Sequence, residues 1–104
     1  MSTTEPTEPI FDPVQARRDE VAQYDANIAM YQAILATLPT SWPADLEQFR
    51  KPKNQHQAID DVPADKVDLV SQLWYADDVA HAIRTETLER TKAAAILAVL
   101  EQQG

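Results

Sequence analysis

Glycine is almost missing from this chain of 104 residues; the single one is Gly104. Glycine is the default wherever the backbone takes a positive φ. Tight two-residue hairpins usually need it, although Asn can substitute. Phosphate-cradling loops and the dinucleotide fingerprint require several. Its scarcity therefore argues against nucleotide-binding α/β folds and hairpin-rich β folds. Helices need none in their interiors, and Ala, Gln, Glu and Leu, which favour helix, are plentiful.

Cysteine is absent altogether. That excludes disulfides, thiolate catalysis, zinc fingers and iron–sulfur clusters, and it fits a reducing compartment. Packing alone must hold the fold. Long hydrophobic runs are also lacking. The longest, Ala93 to Leu100, is far too short to span a membrane. Met1 to Phe11 has neither a basic start nor an apolar stretch, so it does not read as a signal peptide.

Positive charge is in deficit, and the formal net charge is -8. This disfavours nonspecific binding to nucleic acid or anionic membranes and permits binding to a basic protein surface. No unbroken acidic run occurs. The pattern is that of a solvated acidic protein and not of an acidic tail.

What is present organises the chain into a tail, residues 1–11, and one helical domain, residues 12–104. The length suffices for a single domain. Thr, Glu and Pro dominate the tail, and Pro6 and Pro9 forbid helix there. Asp12-Pro13 is a helix start, an N-cap residue followed by a proline suited to the first helical position. Phe11 stands one residue before the cap, where it can pack back on the first turn. The spacing predicts a helix from about Pro13 to about Thr37, stopped by Pro39. Its apolar pattern is a heptad: Val14, Val21, Ile28 and Leu35 fall seven apart, with Tyr24, Tyr31 and Leu38 three residues after them and Arg17 the exception. Ala22, Ala26, Ala29, Ala33 and Ile34 widen that apolar face.

Leu38 to Val62 forms the connector. A short helix is expected from Pro43 to about Arg50, with Leu46 and Phe49 on one face and Trp42 ahead of it. Lys51 to Gln57 is polar and reads as a loop. Asp61 to Asp65 opens the last helix, which can run unbroken from about Ala64 to about Gln102, with a possible bend at Thr85-Glu86-Thr87. One of its stripes is Leu69, Leu73, Ala76, Ala80, Ile83, Thr87, Ala94, Leu97; a second is Val67, Val70, Trp74. The resulting expectation is an all-α fold: an antiparallel hairpin of two long helices, a short third helix in the connector and an extended N-terminal tail. Trp42, Leu46 and Phe49 are the natural cover for Val67, Val70 and Trp74, where the longer helix overhangs the shorter.

Little in the sequence carries chemistry. Asp78-x-x-His81 puts a carboxylate and an imidazole one helical turn apart, with Asp77 four before the histidine. Di-metal helical bundles use such pairs twice over, with further carboxylates, and this chain has one pair. His56 stands in the single basic stretch, with Arg50, Lys51 and Lys53, which suits a phosphate or an acidic partner as readily as plain solvation. Adjacent carboxylates such as Asp60/Asp61 and Asp77/Asp78 diverge on a helix and do not converge on a substrate. We expect no enzyme activity, no catalytic residue, no cofactor and no metal.

The run from Ala93 to Leu100 is the sharpest clue. Eight consecutive apolar residues occupy every face of two helical turns, and one neighbouring helix cannot cover them all. Ile10 and Phe11 can help from within the chain; otherwise another chain must. Four of the eight are alanines, which are good helix formers in any setting. The expected function is that of a non-enzymatic small helical interaction protein, such as an assembly, accessory or chaperone subunit, that works through apolar helix faces. Its interaction candidates are Val14, Val21, Tyr24, Ile28, Tyr31, Leu35, Ile96, Leu97, Val99 and Leu100. The expected partner is a protein or a second copy, with no direct nucleic acid, membrane or metal. The alternative is an acidic inhibitor that blocks the nucleic-acid-binding surface of a basic partner. Low Lys and high Ala give an impression of bacterial or bacteriophage origin, hence of a bacterial cytoplasm, or a virion for a phage-encoded chain.

Two separated histidines without cysteine cannot close a site of ordinary ligand number. Isothermal titration with zinc or manganese is expected to show no stoichiometric micromolar site, and the appearance of one would overturn this reading.

Overall fold

The computed structural model describes residues 11–50 and 59–103. Two long helices dominate it: α1, Pro13–Leu35, with 23 residues, and α2, Val67–Gln103, with 37. At 1.5 Å per residue they measure about 35 and 56 Å. They pack antiparallel, and the described residues contain no strand. The expected tail, residues 1–10, and the polar stretch with Lys51, Lys53 and His56 lie outside the described residues.

Helix α1 begins as its first residues dictate. Asp12 is extended, with φ -116° and ψ 104°, and its Oδ1 accepts the amides of Val14 at 3.0 Å and Gln15 at 3.3 Å. Pro13 has no amide to leave unsatisfied. Phe11 lines a groove with Ala16, the position against which a residue before the cap packs. Alanine is too small to hold it, and Phe11 stays 76% exposed.

The helix stops two residues short of expectation. Pro39 bars helical backbone from the residue before it, and no glycine is available for a left-handed cap. The last turn tightens instead. Thr37 and Leu38 donate their amides to the carbonyls of Ile34 and Leu35 at 3.0 and 3.1 Å, and the Thr37 hydroxyl donates to Ile34 at 2.7 Å. Among the described residues none has a positive φ.

The connector helix forms, but as a 3-10 helix, Ala44–Phe49, and not as an α-helix. Pro43 before it offers no side-chain cap. Three residues per turn place Leu46 and Phe49 in line on one face. After a helical turn at residues 59–61 and a 3-10 turn, Ala64–Lys66, α2 starts at Val67 and continues without interruption. The region of Thr85-Glu86-Thr87 stays helical. The Thr87 hydroxyl donates to the Ile83 carbonyl at 2.7 Å, and that of Thr91 to the Thr87 carbonyl at 2.9 Å.

The core concentrates at the closed end of the hairpin. Leu46, Val62 and Val70 form its centre, with Trp42, Phe49, Val67, Leu69 and Trp74 packed around them. Leu73, Ala76 and Val79 extend it along α2. Val70 and Leu73 are 0% exposed, and each such side chain stabilises by roughly 1.5–3 kcal/mol. The connector thus covers the overhang of α2, as expected from Trp42, Leu46 and Phe49. Arg50 seals the edge: its guanidinium lies 5.9 Å above the Trp42 ring and pairs with Glu47 at 3.6 Å and Asp77 at 3.4 Å.

The two tryptophans differ at their polar tips. Trp74 Nε1 donates to the Phe49 carbonyl at 2.8 Å, which ties α2 to the connector. Trp42 Nε1 is buried with no acceptor among the described residues. A made hydrogen bond contributes about 1 kcal/mol, and a buried group left unpaired costs about 1–3 kcal/mol. Trp74→Phe is therefore expected to destabilise by about 1–3 kcal/mol more than Trp42→Phe, read from urea midpoints; the reverse order would contradict these environments.

Candidate interaction surface

The site is built from the seam between the two helices. Val14, Arg17, Val21, Tyr24, Ile28, Tyr31, Leu35 and Leu38 are all half-buried, and no residue of α1 is fully buried. Steps of three and four residues wind this stripe along α2. The expected widening by alanines is not observed. Ile34 joins the seam, whereas Ala22, Ala26, Ala29 and Ala33 are exposed, because they sit on the flank of α1 turned away from α2.

The matching stripe of α2 is Ala76, Val79, Ile83, Glu86, Arg90, Ala93, Leu97 and Leu100, each buried or half-buried. It differs from the expected stripe. Thr87 is exposed, while Val79 and Ala93 are buried. An apolar tally had no reason to include Glu86 and Arg90. Polar links across the seam account for them and set the register. Arg90 pairs with Asp25, Asn27 donates to Glu86 at 3.5 Å, and Arg18 pairs with Glu101 at 3.1 Å. Residues early in α1 meet residues late in α2, so each link requires the antiparallel arrangement.

The segment at residues 93–100 divides into faces. Ala93 is buried; Ala94, Leu97 and Leu100 are half-buried against the seam; Ala95, Ile96, Ala98 and Val99 are exposed. Ile96 is 42% and Val99 52% exposed. Alongside them runs a groove of about 450 Å³, lined by Phe11, Pro13, Ala16, Arg17, Glu20, Ile96 and Leu100. The ten expected interaction residues thus fall into two sets. Val14, Val21, Tyr24, Ile28, Tyr31 and Leu35 line the seam of the chain's own hairpin, as do Leu97 and Leu100 from the other side. Ile96 and Val99 face away from it; Ile96 lines the groove together with Phe11, and Val99 is exposed beside it.

Charge is unevenly distributed along the hairpin. Residues 60–78 hold six aspartates against Lys66. At the open end the balance is close to even, with Arg84, Arg90 and Lys92 against Glu86, Glu89 and Glu101 in residues 83–103 of α2, and two arginines against three acids in α1. The charges flanking the apolar patch are paired within their own helices, Arg17 with Glu20 at 2.6 Å and Lys92 with Glu89 at 3.1 Å.

The polar constellations do not converge. The carboxylate of Asp77 is engaged by Arg50, and Asp78 and His81 are both exposed. Among the described residues no three His, Cys, Asp or Glu side chains are grouped to hold a metal, and no helix is long and apolar enough to cross a membrane. Of the basic stretch, Arg50 is committed to Trp42, Glu47 and Asp77. No protein-family model, curated protein or solved structure matches this chain.

Tyr24 reports on the seam. Partial burial, followed by the carboxylates of Glu20, Glu89 and Glu86, raises its phenol above the ordinary value, with Lys92 opposing. The folded state therefore favours the neutral phenol. This stabilisation is fully present below the unfolded value of about 10 and is lost as pH rises through the raised folded value. In an ultraviolet titration, the phenolate component removed by Tyr24→Phe is expected to titrate above pH ~10 in the folded protein; a component at or below that value would contradict the described surroundings.

Proposed function

We propose that this protein is a non-enzymatic helical interaction protein, an assembly, accessory or chaperone subunit acting through an apolar helix face. The observation that carries the reading is the patch at the open end of the hairpin. Ile96 and Val99 project from α2 beside an apolar groove that Phe11, Ala16 and Leu100 continue. Exposed apolar patches of this kind mark protein contact sites. The chemistry available from the sequence points the same way, since no cysteine is present and the two histidines are 25 positions apart. A bacterial cytoplasm, or a virion for a phage-encoded chain, is the setting we propose on composition.

The second reading is an acidic inhibitor that occupies the nucleic-acid-binding surface of a basic protein. The six aspartates within residues 60–78 favour it. The two readings differ in salt dependence. Exposed charges are screened within about 8–10 Å at physiological ionic strength, whereas apolar burial is not weakened by salt.

The test is affinity capture from the source cells with the wild type and with Ile96→Asp combined with Val99→Asp, each at low and high salt. The first reading predicts a discrete protein that survives high salt with the wild type and is lost with the double variant. Capture that disappears with salt and ignores the two substitutions would overturn it in favour of the acidic inhibitor. No specific capture at either salt, in a chain that also does not bind itself, would overturn both.

A further inference from the structure

The open end of the hairpin combines three properties that select its occupant. The first is incomplete burial. Beyond Val79, Ala93 is the one buried residue of α2, and α1 contains none. Two helices cover one stripe of each other, and a four-helix bundle is the standard way for such seams to become a core. The second is shape. One patch carries both a concave groove of about 450 Å³ and projecting side chains, Phe11 at 76% and Val99 at 52% exposure. A two-fold interface needs a surface complementary to itself, with projections and recesses in the same patch.

The third is charge. A chain of net charge -8 would ordinarily repel its own copy. Here the charges beside the patch are closed into Arg17–Glu20 and Glu89–Lys92 pairs, and residues 83–103 carry three positive and three negative groups. The acidic surplus at this end is small, one charge within α1 and Asp12 before it, so a basic partner gains little there. A second copy meets little repulsion there, and an antiparallel pairing over the open ends keeps the two aspartate-rich ends at opposite poles.

We propose that the occupant is a second copy of this chain: two hairpins pair antiparallel through their open ends, with Phe11, Ile96, Val99 and Leu100 of each copy at the contact, and form a four-helix bundle. This deepens the proposed function, on which it rests, by identifying the partner of its apolar face.

Sedimentation equilibrium of the purified full chain tests it. The wild type is expected to be a dimer at micromolar concentration. Ile96→Asp with Val99→Asp is expected to be monomeric with an unchanged helical circular dichroism spectrum, because both side chains are exposed and outside the seam. Tyr75→Asp, at an exposed position near the aspartate-rich end, is expected to remain dimeric. A monomeric wild type, or a dimer that survives the double substitution, or one that Tyr75→Asp abolishes, would overturn the proposal. The interaction reading is separable from it: a monomeric wild type that still captures another protein through Ile96 and Val99 would overturn the second copy and leave the apolar-face reading standing.

Discussion

Two packed helices can hide only one stripe of each other, and the rest of this structure follows from that limit. Along α1 every seam residue remains half-buried, and none reaches the interior. Full burial occurs where a third element arrives. Leu46 from the 3-10 helix and Val62 from the turn before α2 close over Val70, and Trp42, Phe49 and Trp74 complete the enclosure. Burial on three sides is what converts apolar side chains into stability. The closed end is therefore a small core, and the open end a bare pair of helices with apolar surface left over.

The half-buried seam explains why polar residues bear so much of the register. Glu86 and Arg90 occupy positions that a purely apolar heptad would fill with Leu or Ile, and they meet Asn27 and Asp25 across the seam. Surface ion pairs contribute little stability, commonly 0–1 kcal/mol. Their value here is in specificity, since slipping one helix by a turn would separate Arg18 from Glu101 and Arg90 from Asp25 together. Polar groups at seam positions are a known device for fixing register at some cost in stability.

The same division between ends organises the functional argument. Aspartates cluster at residues 60–78, next to the well-packed core, whereas Phe11, Ile96 and Val99 are exposed at the far end, where charge is closer to even. A surface for a basic partner and a surface for an apolar one would thus be about the length of α2 apart. Arg50 shows how the basic stretch that looked available in the sequence is partly consumed by structure, its guanidinium shared among Trp42, Glu47 and Asp77.

Local signals were sufficient for much of the architecture. Asp12-Pro13 announces the start of α1 because capping is a matter of neighbouring residues, and Pro39 announces its end for the same reason. The heptad of Val14, Val21, Ile28 and Leu35 identifies the seam of α1, and the spacing of Leu46 and Phe49 identifies the lid over Val70. The finer choices were decided by the fold. The connector takes the 3-10 form over Ala44–Phe49, which no local pattern reports. The seam of α2 departs from the apolar count at Thr87, Val79 and Ala93 because it winds around α1 through Glu86 and Arg90, which only a partner helix with Asp25 and Asn27 in place brings into the half-buried seam. The apolar run from Ala93 to Leu100 was visible as an excess of surface. Which of its members face inward is a matter of rotation about the helix axis, and the position of α1 set that rotation: Leu97 and Leu100 toward the seam, Ile96 and Val99 away from it.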